Sequence, residues 1–87
     1  MPTVDLTLIG KPGCHLCDDA RDVIRSVVAA LPDGSAKVSL SERSILDDAQ
    51  LLERYADEIP VVLIDGRIHT YWRVDPARLR TALLEAS

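Results

Sequence analysis

The hydrophobic pattern of this chain changes period several times, and each change marks an element. Thr3 to Ile9 is rich in Val, Leu, Ile and Thr and stops at Gly10, Pro12 and Gly13, which predicts a strand followed by a tight loop. From Cys17 onward the apolar residues Cys17, Ala20, Ile24, Val27, Val28 and Leu31 fall on one stripe of a helix that ends before Pro32-Asp33-Gly34. Asp18, Asp19 and Asp22 crowd its first turns, where acids suit the helix dipole. Lys37 to Leu40 alternates as a short edge strand, with Val38 and Leu40 on one face.

Ser44 is the expected cap of a second helix with Leu51, Leu52, Tyr55, Ala56 and Ile59 on its apolar side, and Pro60 ends that pattern. Val61 to Ile64 is continuously apolar, as in a strand covered on both faces, and Asp65-Gly66 signals a two-residue hairpin. The return strand, Arg67 to Val74, alternates: Ile68, Thr70, Trp72 and Val74 on one side, Arg67, His69, Tyr71 and Arg73 on the other. On that pattern Trp72 is expected to pack, Tyr71 and Arg73 to be exposed, His69 to be solvated, and Arg43 to lie in a loop. Asp75 followed by Pro76 opens a last helix with Leu79, Ala82 and Leu83 inward. The predicted order is βαβαββα. A parallel crossover and a closing hairpin make that a small mixed α/β sheet with helices on both faces.

Composition narrows the function classes. Eighty-seven residues suffice for one domain and one core, so residues 1–87 are expected to form a single unit with any site at the edge of that core. Apolar residues make up 47% and charged residues 28%, a globular balance without a membrane-length apolar run. The net charge of −4 and dispersed Lys and Arg argue against a nucleic-acid surface. The first ten residues lack the basic, apolar and small-residue regions of a secretory signal, so a cytoplasmic location is expected. Thiols are kept reduced there, and a close cysteine pair points to catalysis, redox sensing or metal binding. The absence of a heptad pattern makes a monomer the expectation.

The pair in question is Cys14 and Cys17, within Gly13-Cys14-His15-Leu16-Cys17. Placed at the end of a strand-to-helix loop, Cys14 has its sulfur against the unpaired N–H groups of the helix, which stabilise a thiolate. Cys17 lies about one turn on, close enough for a disulfide, and as first residue of the apolar stripe it is the more buried. Cys14 would then attack and Cys17 resolve. His15 and Lys11 add positive charge near Cys14, and Asp18 and Asp19 negative charge; the helix terminus touches the sulfur directly and is expected to dominate. Two other readings remain. A zinc or iron–sulfur role would need ligands beyond His15 and His69, most simply a cluster shared between two chains. The cysteines could also be inert hydrophobes, leaving a binding or electron-transfer module with little turnover.

The Cys14-x-x-Cys17 pair after a first strand, Glu58-Ile59-Pro60-Val61-Val62-Leu63-Ile64-Asp65 opening a hairpin, and Asp75 capping the last helix together resemble a short bacterial glutaredoxin-like protein of the thioredoxin superfamily. The resemblance covers nearly the whole chain. It implies a thioredoxin-like fold and a thiol-disulfide oxidoreductase with Cys14 as nucleophile and Cys17 as resolving thiol. It also implies a cis peptide between Ile59 and Pro60 opposite the cysteines, with the Ile59 backbone pairing with an extended substrate. Lys11 matches the basic residue that helps hold a glutathione carboxylate. Two features depart from the family pattern: His15 and Leu16 replace the usual Pro and Tyr between the cysteines, and Tyr71 and Trp72 replace two glycines before the capping Asp75. Large rings there would close the glutathione groove or line it for another ligand. The expected substrate-contacting set is therefore Lys11, His15, Leu16, Ile59, Pro60, Tyr71, Trp72 and Asp75, acting on a protein or small-molecule disulfide. No bound cofactor or metal is expected, and the reductant would be a thioredoxin-reductase-type system, glutathione or another low-molecular-weight thiol.

Overall fold

The computed structural model describes residues 3–86. Its elements run β1 (Thr3–Gly10), α1 (His15–Ala29), β2 (Lys37–Ser44), α2 (Ala49–Tyr55), β3 (Val61–Ile64), β4 (Arg67–Tyr71) and α3 (Pro76–Glu85), the predicted βαβαββα order. The four strands form one mixed sheet in the order β2-β1-β3-β4. β1 pairs with β2 in parallel and with β3 antiparallel, and β3 pairs with β4 antiparallel.

The two strands in the middle of the sheet carry its most buried residues, and their alternation divides the core in two. Val4, Leu6 and Leu8 of β1 and Val62 of β3 point to one face, where they meet Ala20, Ile24 and Val27 of α1 and Leu79 and Leu83 of α3. Ile9 and Val61 point to the other, where they meet Ile45 and Tyr55. The first face is closed by two helices of 15 and 10 residues; the second is covered by the seven residues of α2 and the turn before it. Each fully buried Leu, Ile or Val contributes roughly 1.5–3 kcal/mol relative to exposure, so the α1–α3 face supplies most of the hydrophobic stabilisation.

Leu52, expected on the apolar side of α2, is exposed at 45%, and His69, expected to be solvated, has its Nε2 buried. Three further expectations fail for a backbone reason. Ser44 does not cap α2. The parallel ladder with β1 continues to the pair Gly10–Ser44, so β2 is eight residues long and contains Arg43. Ser44 instead closes a turn, its Oγ accepting from Leu46 N–H at 3.1 Å, and the cap is Asp48, whose Oδ1 accepts from Gln50 N–H at 2.9 Å. Secondly, β4 does not alternate through to Val74. Val62 pairs with Thr70 but Leu63 pairs with Ile68, so His69 is an extra, bulged residue. Residues paired across a ladder share a face, so the bulge puts Ile68 and Thr70 on opposite faces rather than together. Thirdly, Tyr71 falls on the α2 face, half-buried against the Ile9 and Val61 cluster, whereas Trp72 lies beyond the strand and is exposed at 53%. The expected roles of these neighbouring rings are thus exchanged.

Candidate redox site

One end of the sheet gathers the residues singled out above. Ile9 pairs with Val61, so Gly10 leaves the sheet where Pro60 enters it, and Gly10 C=O accepts from Ile45 N–H at 2.9 Å. Pro60 C=O accepts from Trp72 N–H at 2.7 Å, which brings the end of β4 to the same place. The loop from Lys11 to Cys14 and the start of α1 therefore rise from a floor made of Gly10, Pro60 and the chain around Trp72.

Cys14 is the N-cap of α1, in extended conformation (φ −98°, ψ 110°). Its Sγ accepts from Cys17 N–H at 3.2 Å, and its carbonyl accepts from Asp18 N–H at 3.0 Å. The sulfur thus occupies the place where a Ser or Asp oxygen would cap the helix, against unpaired donors and the positive end of the dipole, both of which favour an anion. Cys14 is half-buried, whereas Cys17 is 1% exposed. The two stand at disulfide distance, their Cα atoms 5.2 Å apart.

What positions Cys17 is a contact not read from the sequence. A Cβ on Gly10 would lie 2.7 Å from Cys17 Sγ and 3.1 Å from its Cβ. Only glycine at the end of β1 lets the Cys17 sulfur settle onto the strand. The signal, a Gly closing a strand just before the cysteine loop, reads equally well as a plain strand stop, and only the packing distinguishes them.

Pro60 is fully buried, and the Ile59–Pro60 peptide is cis. Ile59 packs in part against the α2-side cluster. Lys11 and His15 are exposed, as is Leu16 at 40%. Asp75 caps α3, its Oδ1 accepting from Ala77 N–H at 2.9 Å and Arg78 N–H at 3.3 Å.

Trp72 has a left-handed backbone (φ 62°), and Arg73 N–H donates to Tyr71 C=O at 2.7 Å, closing a three-residue turn around it. Its Nε1–H donates to Asp57 C=O at 3.3 Å, and its ring centroid is 5.9 Å from that of Tyr71. A bulky residue seldom adopts this φ. A groove of about 220 Å³ lies between α1 and this turn, with Leu16, Ala20, Val23, Trp72 and Val74 along it. Tyr71 does not line it.

The acids of α1 are not all free to act on the sulfur. Arg21, which the sequence did not bring forward, donates from Nη1 to Asp18 Oδ1 at 2.8 Å and from Nε to Glu42 Oε1 at 2.6 Å. These bonds, Asp18 first, raise the guanidinium's pKa above its ordinary value. They also tie the Asp18 carboxylate towards β2. A second groove of about 290 Å³ runs on that side, bordered by Gly10, Lys11, Cys17 and the Arg21 cluster. Among the described residues, no three His, Cys, Asp or Glu side chains stand close enough together to hold a metal ion, and no helix is long and apolar enough to cross a membrane.

Comparison with known proteins places this geometry. The family model described as a glutaredoxin-like domain (DUF836) matches residues 5–84. A structural-genomics target protein from X. campestris, solved by X-ray crystallography, is 34% identical. The match covers 94% of this chain and 97% of that one, with a TM-score of 0.71. A protein from Nitrosomonas europaea, solved in solution, has the same fold at a TM-score of 0.73 with 21% identity, over 94% of this chain and 92% of its own. An uncharacterized protein from Mycobacterium tuberculosis is 26% identical over 87 residues, spanning all of this chain and 90% of its own.

Proposed function

Since the chain belongs to the glutaredoxin-like domain family (DUF836), we propose that it is a thiol-disulfide oxidoreductase that cycles between a Cys14/Cys17 dithiol and disulfide. The observation that carries this reading is the capping geometry: a half-buried sulfur receives a helix N–H at 3.2 Å, with a buried second cysteine at disulfide distance. In the reducing direction, Cys14 thiolate attacks one sulfur of a substrate disulfide. A Cys14–substrate disulfide forms, and the other sulfur leaves as a thiolate that takes up a proton. Cys17, deprotonated, then attacks Cys14 Sγ and releases the remaining substrate sulfur as a second thiolate. Two electrons pass from the pair to the substrate, and the two cysteine protons balance those taken up by the leaving thiolates.

Ile59, beside Pro60, offers its backbone to the substrate chain in this proposal, and Lys11 and His15 supply positive charge at the rim of the site. Asp75 has one carboxylate oxygen committed to its helix and one left to meet a substrate N–H. An external dithiol or low-molecular-weight thiol restores the reduced pair, in keeping with a cytoplasmic location.

The deciding experiment has two readouts. Alkylation by iodoacetamide against pH should show one fast thiol with a pKa well below the free-cysteine value of about 8.5, lost in Cys14→Ser. Equilibration in thiol buffers should show a single two-electron transition in the range of about −270 to −180 mV spanned by thioredoxin, glutaredoxins and protein disulfide isomerase. A slow, ordinary thiol and no intramolecular disulfide at any accessible potential would remove the oxidoreductase reading and leave the fold as a binding scaffold.

A further inference from the structure

Resting on that reading, we infer that the groove between α1 and the Trp72 turn holds an apolar side chain next to the reacting cysteine of a polypeptide disulfide, so that proteins or peptides are the substrate class. Two observations lead there independently. The first is the cost of Trp72 as the fold places it. Its backbone is left-handed, its ring is exposed at 53%, and its indole N–H is tied to Asp57 C=O. None of these contributes to the core, and strain of this kind persists where function needs it.

The second observation is the lining. Leu16 stands between the two cysteines and is exposed at 40%, and with Ala20, Val23, Trp72 and Val74 it supplies the apolar part of the groove's lining. Asp19 and Arg73 border the groove with opposite charges, so its rim has no net charge to select an acid. The substrate is held covalently on Cys14 during the reaction, and Leu16 is two residues from that sulfur. A substrate attached to Cys14 would therefore bring the residue beside its own cysteine to this groove. A small acidic thiol brings carboxylates and no apolar side chain, whereas a polypeptide brings the neighbours of its cysteine.

The test uses three probes, each a mixed disulfide with thionitrobenzoate: acetyl-Gly-Leu-Cys-Leu-Gly-amide, acetyl-Gly-Ser-Cys-Ser-Gly-amide and glutathione. Cys14 thiolate attacks the peptide sulfur, the bond to thionitrobenzoate breaks, and the coloured thiolate is released. Rates for the reduced protein are divided by those for free cysteine. The leucine peptide should react at least about tenfold faster than the serine peptide and glutathione probes, equivalent to ~1.4 kcal/mol. Trp72→Gly, and separately the surface change Leu16→Ser, should bring that ratio towards one. A ratio near one in the unaltered protein, or one that neither variant alters, would overturn the inference while fast reaction with all three probes keeps the oxidoreductase reading. If no probe reacts faster than with free cysteine, both fall together.

Discussion

The two flanks of the cysteine pair are built in opposite ways. On the inner flank Cys17 rests on Gly10 with no room for one more carbon, and the buried stripe of α1 continues from it into the core. On the outer flank Leu16 and Trp72 border an open groove, and the tryptophan holds a backbone conformation that glycine would adopt without strain. Packing explains the inner flank completely, because every side chain there loses water on folding. It does not explain the outer one, where a large ring stays wet. The contrast separates the buried sulfur of Cys17 from the half-buried sulfur of Cys14.

Three variants test this contrast. The largest effect is expected from Gly10→Ala. The added methyl meets Cys17 Sγ, backed by the sheet, so stability should fall by about 1–3 kcal/mol, as in other overpacked sites. Urea unfolding in the reduced and the oxidised state would measure it, and a loss below about 0.5 kcal/mol in both would show that the inner flank is not tight. On the outer flank, Trp72→Gly should cost far less. Relief of the left-handed residue returns about 1–3 kcal/mol. Against it stand the lost indole hydrogen bond, about 0.5–1.5 kcal/mol, and the greater freedom of glycine when unfolded, about 0.4–1 kcal/mol. At mid-range these nearly cancel, so stability should stay within about 1 kcal/mol of the unaltered protein; a fall like that of Gly10→Ala would make Trp72 a packing residue after all.

The smallest effect lies away from both flanks and asks whether pH acts on the fold independently of the thiols. His69, the bulged residue of β4, has its Nε2 buried without a partner, and burial, then the charge of Arg78, lowers its pKa. The fold thus favours the neutral ring. Below the unfolded histidine pKa of about 6.5, the unfolded chain binds more protons than the folded one. Stability should decline as pH falls from 6.5 towards the lowered folded pKa, and level off below it. Thermal unfolding against pH should show that decline weakened in His69→Gln; an unchanged profile would assign it to other groups.

Period alone revealed the element types and their order, because α1 buries the stripe predicted for it and Asp65-Gly66 makes the predicted hairpin with both φ angles positive, at 50° and 81°. The placement of the pair was equally visible, because Cys14 and Cys17 lie at an element boundary marked by glycine and proline. Register was not. The strand was expected to end at Leu40, with Arg43 in a loop and Ser44 as a helix cap, yet β1 holds Ser41 to Ser44 in its parallel ladder. One bulged residue in β4 reversed the faces expected beyond it. Neither the contact of Gly10 with Cys17 nor the bond of Trp72 to Asp57, 15 residues away in sequence, has a local sequence signal.

That same bulge also bears on self-association. β4 is an outer strand of the sheet, and a free strand border invites another chain to pair with it. Here a docking chain would find only Arg67 and Ile68 in regular register on one side of His69, and Thr70 and Tyr71 on the other. The carbonyl of His69 between them already accepts from Arg78 Nη2 at 2.9 Å. Beyond Tyr71 the left-handed turn at Trp72 ends the extended chain. The irregularity that misdirects a reader of the alternation therefore also interrupts the border along which a fifth strand would have to pair.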